Sequence, residues 1–159
     1  RDGHVPMNKM YGSWAGAMGQ CQFMPSSFVK YAQDWNKDGK KDIWKTKSDV
    51  FASAANYLKN TNWNYTQTWG RKVYIGNLNK KTDEKKKYKL SYFKELNVLN
   101  SDKKPLPKSN IPARLILLKN EKKFAYLAYE NFDNILKWNR SNYFVIAVGT
   151  LSDHILYGK

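Results

Sequence analysis

The chain has 159 residues, 42% hydrophobic and 15% aromatic, with a formal net charge of +15. That length carries one packed domain, or a core with a small subdomain, and excludes two large ones. The composition is globular, and no uninterrupted apolar run approaches the ~20 residues a membrane span needs. Arginine occurs only at Arg1, Arg71, Arg114 and Arg140, so nearly all the positive charge is lysine. Lysine lacks the bidentate fork that reads bases and phosphates, which favours a solvated surface or an anionic envelope polymer over nucleic acid. Cys21 is the single cysteine and excludes an intrachain disulfide and a multi-cysteine zinc site.

The chain opens Arg1-Asp2-Gly3, without an initiator Met or a charged-then-apolar leader, and so reads as a processed protein or a piece of a longer one. Residues 12–27, GSWAGAMGQCQFMPSS, form a glycine-rich turn with neither GK[ST] nor GxGxxG, which argues against nucleotide binding. Ser13 and Gln22 beside Trp14 and Phe23 combine short hydrogen-bonding groups with aromatic surface, as carbohydrate sites do. The alternative is that Phe23, Met24 and Met18 are core and the glycines permit close packing. Pro25 marks the start of a short helix over 26–33.

That helix runs into a loop with oxygen side chains at positions one, three and five (Asp34, Asn36, Asp38), Gly39 at six, the Lys40 carbonyl at seven and Asp42 at nine. This is the ligand order of a helix-loop-helix calcium site. Lys45 stands at position twelve in place of a bidentate Glu, so Asp49 is the candidate for the closing carboxylate. An Asx-rich turn without metal would select the same residue types. From Ser48 or Asp49 as N-cap, Val50, Phe51, Ala54, Ala55 and Leu58 repeat at helical spacing up to residue 60.

Beyond Trp63 the texture is β-prone, with pieces at 71–75, 88–93 and 113–118 and a hairpin turn at 119–122 leading to 124–128. The charge run at 80–87 reads as a solvated loop, and 101–112 with its three prolines as a turn or edge connection. Helical pattern returns at 132–138 and 141–156, the latter with Phe144, Val145, Val148, Leu151 and Ile155 on one broad face. The class is α+β, with residues 1–62, a mainly β subdomain at 63–128 and helices at 129–159 returning to the core.

The glycine-rich turn, the DWNKDGKKDIW loop, ASAANYL at 52–58, the tryptophan-rich link at 62–70, and the segments 135–143 and 147–153 together resemble the membrane-bound lytic transglycosylase B family of bacterial cell-wall enzymes. The resemblance covers nearly the whole chain in order, with only the lysine-rich middle divergent. It implies a partial goose-lysozyme-like helical core with a calcium-loop helix pair and an inserted β subdomain. It also implies cleavage of the β-1,4 bond between N-acetylmuramic acid and N-acetylglucosamine to a 1,6-anhydro end, without water. Ser13, Gln22, Tyr57 and Asn139 would line the sugar cleft with Phe23 and Phe144 as apolar walls, although the family often has Tyr where Phe144 stands. Asp34, Asn36, Asp38, Lys40 through its carbonyl, Asp42 and Asp49 would hold a structural calcium ion. The expected partner of a monomeric chain is the peptidoglycan strand and not nucleic acid. The expected location is the periplasm, with any membrane association through an N-terminal anchor at the outer membrane.

The family's catalytic Glu lies in a Glu-Ser motif well upstream of the glycine-rich turn, and none of the eleven residues before Gly12 is Glu. Asp2, free at a chain end, is a poor acid. Glu84, Glu95, Glu121 and Glu130 fall in a lysine-rich loop, the β region, a hairpin turn and a helix start, and none has the apolar setting that raises an acid's pKa. The expectation is the C-terminal part of the enzyme, which alone binds glycan weakly or not at all, does not cleave it, and is marginally stable. A non-catalytic peptidoglycan-binding or scaffold protein is the alternative, and a basic nucleic-acid binder a distant third.

Overall fold

The computed structural model describes residues 3–76, 78 and 83–158. Asp2 and the Lys80, Lys81 and Thr82 part of the charge run lie outside the described residues. The chain divides into two compact units, Arg1–Asn62 and Trp63–Lys159. Among the described residues, five α-helices and five strands form the α+β architecture read from the sequence.

The first unit holds a single 3-10 turn at Met7–Lys9, helix α1 at Pro25–Tyr31 and helix α2 at Lys47–Asn60. Pro25 occupies the first turn of α1 as expected, but the helix stops short of residue 33. Ala32 is extended (ψ 136°), and the Gln33 amide donates to Ser53 Oγ at 2.9 Å instead of to a helical carbonyl. Helix α2 begins at Lys47, not at Ser48 or Asp49, and the flanking Thr46 makes no side-chain cap bond. Asp49 therefore lies inside the first turn, where a negative charge suits the helix dipole.

The face α2 buries also differs from the apolar stripe expected. Val50 is buried, but Phe51 is 71% exposed, and Asp49 and Ser53 are both 0% exposed. Asp49, Ser53 and Asn56 recur at helical spacing and each serves backbone in the preceding segment. Asp49 accepts from the Trp35 and Asp42 amides, Ser53 from the Gln33 amide, and Asn56 Nδ2 donates to the Tyr31 carbonyl at 2.9 Å. Buried polar groups are tolerated only when paired, and here the pairing shapes the loop.

In the second unit, strands β1 (Gly70–Tyr74), β2 (Tyr88–Lys89), β3 (Leu99–Asn100), β4 (Pro112–Ile116) and β5 (Phe124–Ala128) form an antiparallel sheet in the order β2-β4-β5-β1-β3. The expected hairpin joins β4 to β5, with Leu115 opposite Leu127 and Ile116 opposite Tyr126. One sheet face presents Val73, Leu115, Ala125 and Leu127 to Leu90 and Phe93 of helix α3 (Leu90–Glu95), forming the core with Val98, Leu106 and Tyr129. The segment 88–93, read as β-prone, is thus a two-residue strand followed by a helix. Leu90 and Phe93 are one turn apart, and burying both against the sheet outweighs their strand propensity.

Helices α4 (Glu130–Trp138) and α5 (Asn142–Tyr157) follow. The fully buried Asn131 accepts the Asn64 amide and donates to the Asn64 and Gln67 carbonyls, which fastens the tryptophan-rich link to α4. Asp133 takes Arg114 at 2.6 Å and Lys87 at 2.8 Å. Ser141 caps α5 by accepting the Phe144 amide, and Val145 is buried. Of the expected apolar face, Val148, Leu151 and Ile155 are exposed. Among the described residues no helix is long and apolar enough to cross a membrane.

Candidate functional site

The glycine-rich turn folds as two tight backbone bridges, Gly12 to Met18 and Met18 to Phe23. Ser13 Oγ accepts the Ala17 amide at 3.1 Å, so its hydroxyl proton remains available to a ligand. Gly19 has φ 62°, and a Cβ there would lie 2.6 Å from Ile43, so only glycine fits against the end of the cation loop. Gln20 extends that junction through its amide to the Ile43 carbonyl and its side chain to the Trp44 carbonyl, both at 2.8 Å. Gln22 stands in the left-handed region at φ 50°, with Nε2 donating to the Gly19 carbonyl at 2.9 Å. A non-glycine residue held there is strained by about 1 kcal/mol or more, and such strain clusters at binding sites.

These residues line a cleft of about 460 Å³ with Tyr11 and Trp44 as its aromatic surfaces. Trp44 is oriented by its indole N–H, which donates to the Tyr11 carbonyl at 2.6 Å. Ser13 and Gln22 both line this cleft, together with Tyr11, Gln20 and Trp44. Trp14, beside Ser13 in sequence, is fully exposed. Phe23 is 2% exposed and its ring lies tilted 5.7 Å from that of Tyr57, which in turn meets Tyr31 at 4.9 Å. Burial first, then Tyr31, pushes the Tyr57 hydroxyl above its ordinary pKa, so it stays protonated at neutral pH. Met24, weighed as core, is 46% exposed. Asn139 and Phe144 belong to the second unit, Asn139 exposed just after α4 and Phe144 half-buried in the first turn of α5.

The cation loop is organised by its own acceptors. Asp34 takes the Asp38 and Gly39 amides at 3.2 and 2.8 Å, Asp38 the Lys40 amide at 2.9 Å, and Asp42 the Trp44 and Lys45 amides at 2.9 and 3.0 Å. Gly39 supplies the positive φ of 84° at position six. Asp49 closes the loop from α2 with both oxygens on backbone amides, Trp35 at 2.9 Å and Asp42 at 3.0 Å. Among the described residues no group of three or more His, Cys, Asp or Glu is placed to hold a metal ion. The donor set itself is all hard oxygen, the chemistry that suits calcium. Asp49 also carries a buried carboxylate with no cationic side chain paired to it among the described residues.

Glu95, Glu121 and Glu130 are exposed, and Glu84 is half-buried in a turn.

The family model described as "Transglycosylase SLT domain" matches residues 1–153. The chain belongs to this family. Among the family's solved structures, the chain superposes with a TM-score of 0.87 and 38% identity on SltB3 from Pseudomonas aeruginosa in complex with NAG-anhNAM-pentapeptide, covering 98% of this chain and 43% of that one. It matches the Escherichia coli lytic transglycosylase Slt35 in complex with calcium with a TM-score of 0.76 and 29% identity, over 97% of this chain and 48% of that one. Membrane-bound lytic murein transglycosylase B of Escherichia coli (strain K12) is 48% identical over 58 residues, 36% of this chain and 16% of that protein. The chain thus spans less than half the length of these lysozyme-like relatives.

Proposed function

We propose that the chain is the sugar-binding part of a peptidoglycan lytic transglycosylase acting on the bond between N-acetylmuramic acid and N-acetylglucosamine. The observation that carries this reading is the Tyr11 and Trp44 cleft, into which the strained Gln22 and the turn-bound Ser13 bring polar groups. Rings for sugar faces beside fixed amides and hydroxyls are the chemistry of glycan recognition. Asn139 and Phe144 are proposed sugar contacts within the second unit, and in the first unit Phe23 is buried against Tyr57.

Forming a 1,6-anhydro end requires one carboxyl to protonate the leaving glycosidic oxygen and then, as a carboxylate, to take the proton of the sugar's own C6 hydroxyl as that oxygen closes on C1. Such a carboxyl needs an apolar surrounding to stay protonated at neutral pH. Glu95, Glu121 and Glu130 are exposed and Glu84 is half-buried in a turn, and on this reading the acid comes from outside these 159 residues and the chain alone does not cleave. A non-catalytic peptidoglycan-binding protein is the second reading, favoured by the same exposed glutamates.

The cation loop takes calcium as a brace on the fold, with Asp34, Asn36, Asp38, the Lys40 carbonyl and Asp42 as donors and Asp49 joining from α2. Bound there, the ion would supply positive charge to the buried Asp49 and play no part in the chemistry. The location is the periplasm, where the polymer is.

Titration of the chain with a soluble N-acetylglucosamine–N-acetylmuramic acid fragment, followed by amide chemical shifts, tests the binding part. Shifts concentrated at residues 11–22 and 44 are expected. Shifts absent there at millimolar ligand would overturn the reading.

A further inference from the structure

The sheet of the second unit carries a row of rings on the face away from its core. Directly opposed residues of an antiparallel pair share a face, so Lys72 with Tyr126, and Tyr74 with Phe124, stand opposite the side that buries Val73, Ala125 and Leu127. The Tyr74 and Phe124 rings meet edge to face with centroids 5.6 Å apart, and Tyr126 lies 6.1 Å from Trp69. Lys72 Nζ is 4.7 Å from the Phe124 centroid, and Lys103 Nζ is 5.3 Å from that of Tyr74. Neither lysine has a carboxylate partner among the described residues, so their charge is uncompensated.

At its Trp69 end the row runs into a cleft of about 350 Å³ lined by Arg71, Lys72, Asn100, Ser101, Thr150 and Asp153. One side of this cleft is open strand. β3 covers β1 only at Val73 and Tyr74. The Ile75 amide and the Trp69 carbonyl both bond toward the β5 side. Alternation along the strand then turns the Lys72 N–H and C=O toward the edge that β3 leaves free.

We propose that this face and cleft form a second contact surface for peptidoglycan, in which the rings take sugar faces, Lys72 and Lys103 take stem-peptide carboxylates, and the free β1 edge pairs with an extended stem. The proposal rests on the reading of the chain as a peptidoglycan binder. Three features fit the occupant. Unpaired cations attract an acidic polymer. Lysine stems leave part of each ring open for stacking while their heads stay in water. An open strand edge beside side-chain amides and hydroxyls accepts peptide. Single-stranded nucleic acid would also use rings and lysines, but a strand edge offers a nucleotide chain no pairing.

The test is co-sedimentation of the 159-residue chain with intact sacculi and with sacculi stripped of stem peptides by an amidase, at low ionic strength. The double reversal Lys72→Glu with Lys103→Glu, at exposed positions, is expected to weaken retention on intact sacculi roughly tenfold, to change retention on stripped glycan less than about twofold, and to leave the melting temperature unchanged. If the double variant is retained like the wild type while Gln22→Ala abolishes retention, the second surface is overturned and the peptidoglycan reading stands. If the wild type is not retained, or single-stranded DNA displaces it at equal mass, both are overturned.

Discussion

Gly149 and Trp69 require one another: a Cβ at position 149 would lie 2.3 Å from the Trp69 indole. The glycine lets helix α5 close over a ring that also meets Phe132 and donates its N–H to Asp153 at 3.1 Å. The tryptophan link is thereby fixed to the last helix by fit and by a hydrogen bond.

Gly149→Ala is expected to destabilise the chain by about 1–3 kcal/mol, the range for overpacking, although alanine favours helix elsewhere. Denaturant unfolding measures it. A stabilised variant would mean that Trp69 has another position available.

The two oxygens of Asp49 hold the loop at both ends. Asp49→Ala leaves the Trp35 and Asp42 amides without their buried acceptor and is expected to cost about 2–6 kcal/mol, from 1–3 per orphaned donor. Asp34→Ala, at the loop's first ligand position, is expected to lower the melting temperature with calcium present and to change it little in chelator. Equal losses in both conditions would remove the metal from the account.

Much of this was legible in the sequence. Pro25, the Asx residues with Gly39, and the β-prone runs at 113–118 and 124–128 each mark a local element whose chemistry is complete within a few residues. What was not legible depends on partners far along the chain. Asp49 was legible as a loop-closing carboxylate, but that Ser53 and Asn56 continue its buried polar face shows only once the backbone they serve is in place. Leu90 and Phe93 read as strand until the sheet lies beneath them. Gln20 and Trp44 join the cleft only because Gly19 lets the turn touch Ile43.

Gln22→Gly separates stability from binding. Glycine relieves about 1 kcal/mol of left-handed strain and loses roughly 0.5–1 kcal/mol in chain entropy, so stability is expected to change by less than about 1 kcal/mol. Affinity for a disaccharide fragment is expected to fall because the amide is gone. Unaltered affinity would remove Gln22 from the site.

The Asp133 carboxyl is desolvated by burial, which alone would raise its pKa, but hydrogen bonds from Lys87 and Arg114 outweigh this and hold it below the ordinary carboxylate value. A depressed folded-state pKa contributes stability that is present above the unfolded value, near ~3.9, and is lost as pH falls through the folded value. The stability gap between wild type and Asp133→Asn is therefore expected to be constant from pH 5 to 7 and to shrink below roughly pH 4. A gap that persists at pH 2 would show that the ion pairs contribute nothing.

The central claim is that these residues bind the glycan while the acid lies elsewhere. Digestion of purified peptidoglycan with the chain, followed by mass spectrometry of the soluble products, tests it most directly. No 1,6-anhydromuropeptides are expected from the chain alone, and their release is expected from a protein extended upstream to a Glu-Ser-bearing segment. Anhydro products from the 159 residues by themselves would place the acid among Glu84, Glu95, Glu121 and Glu130 or the chain's aspartates, and would contradict the account.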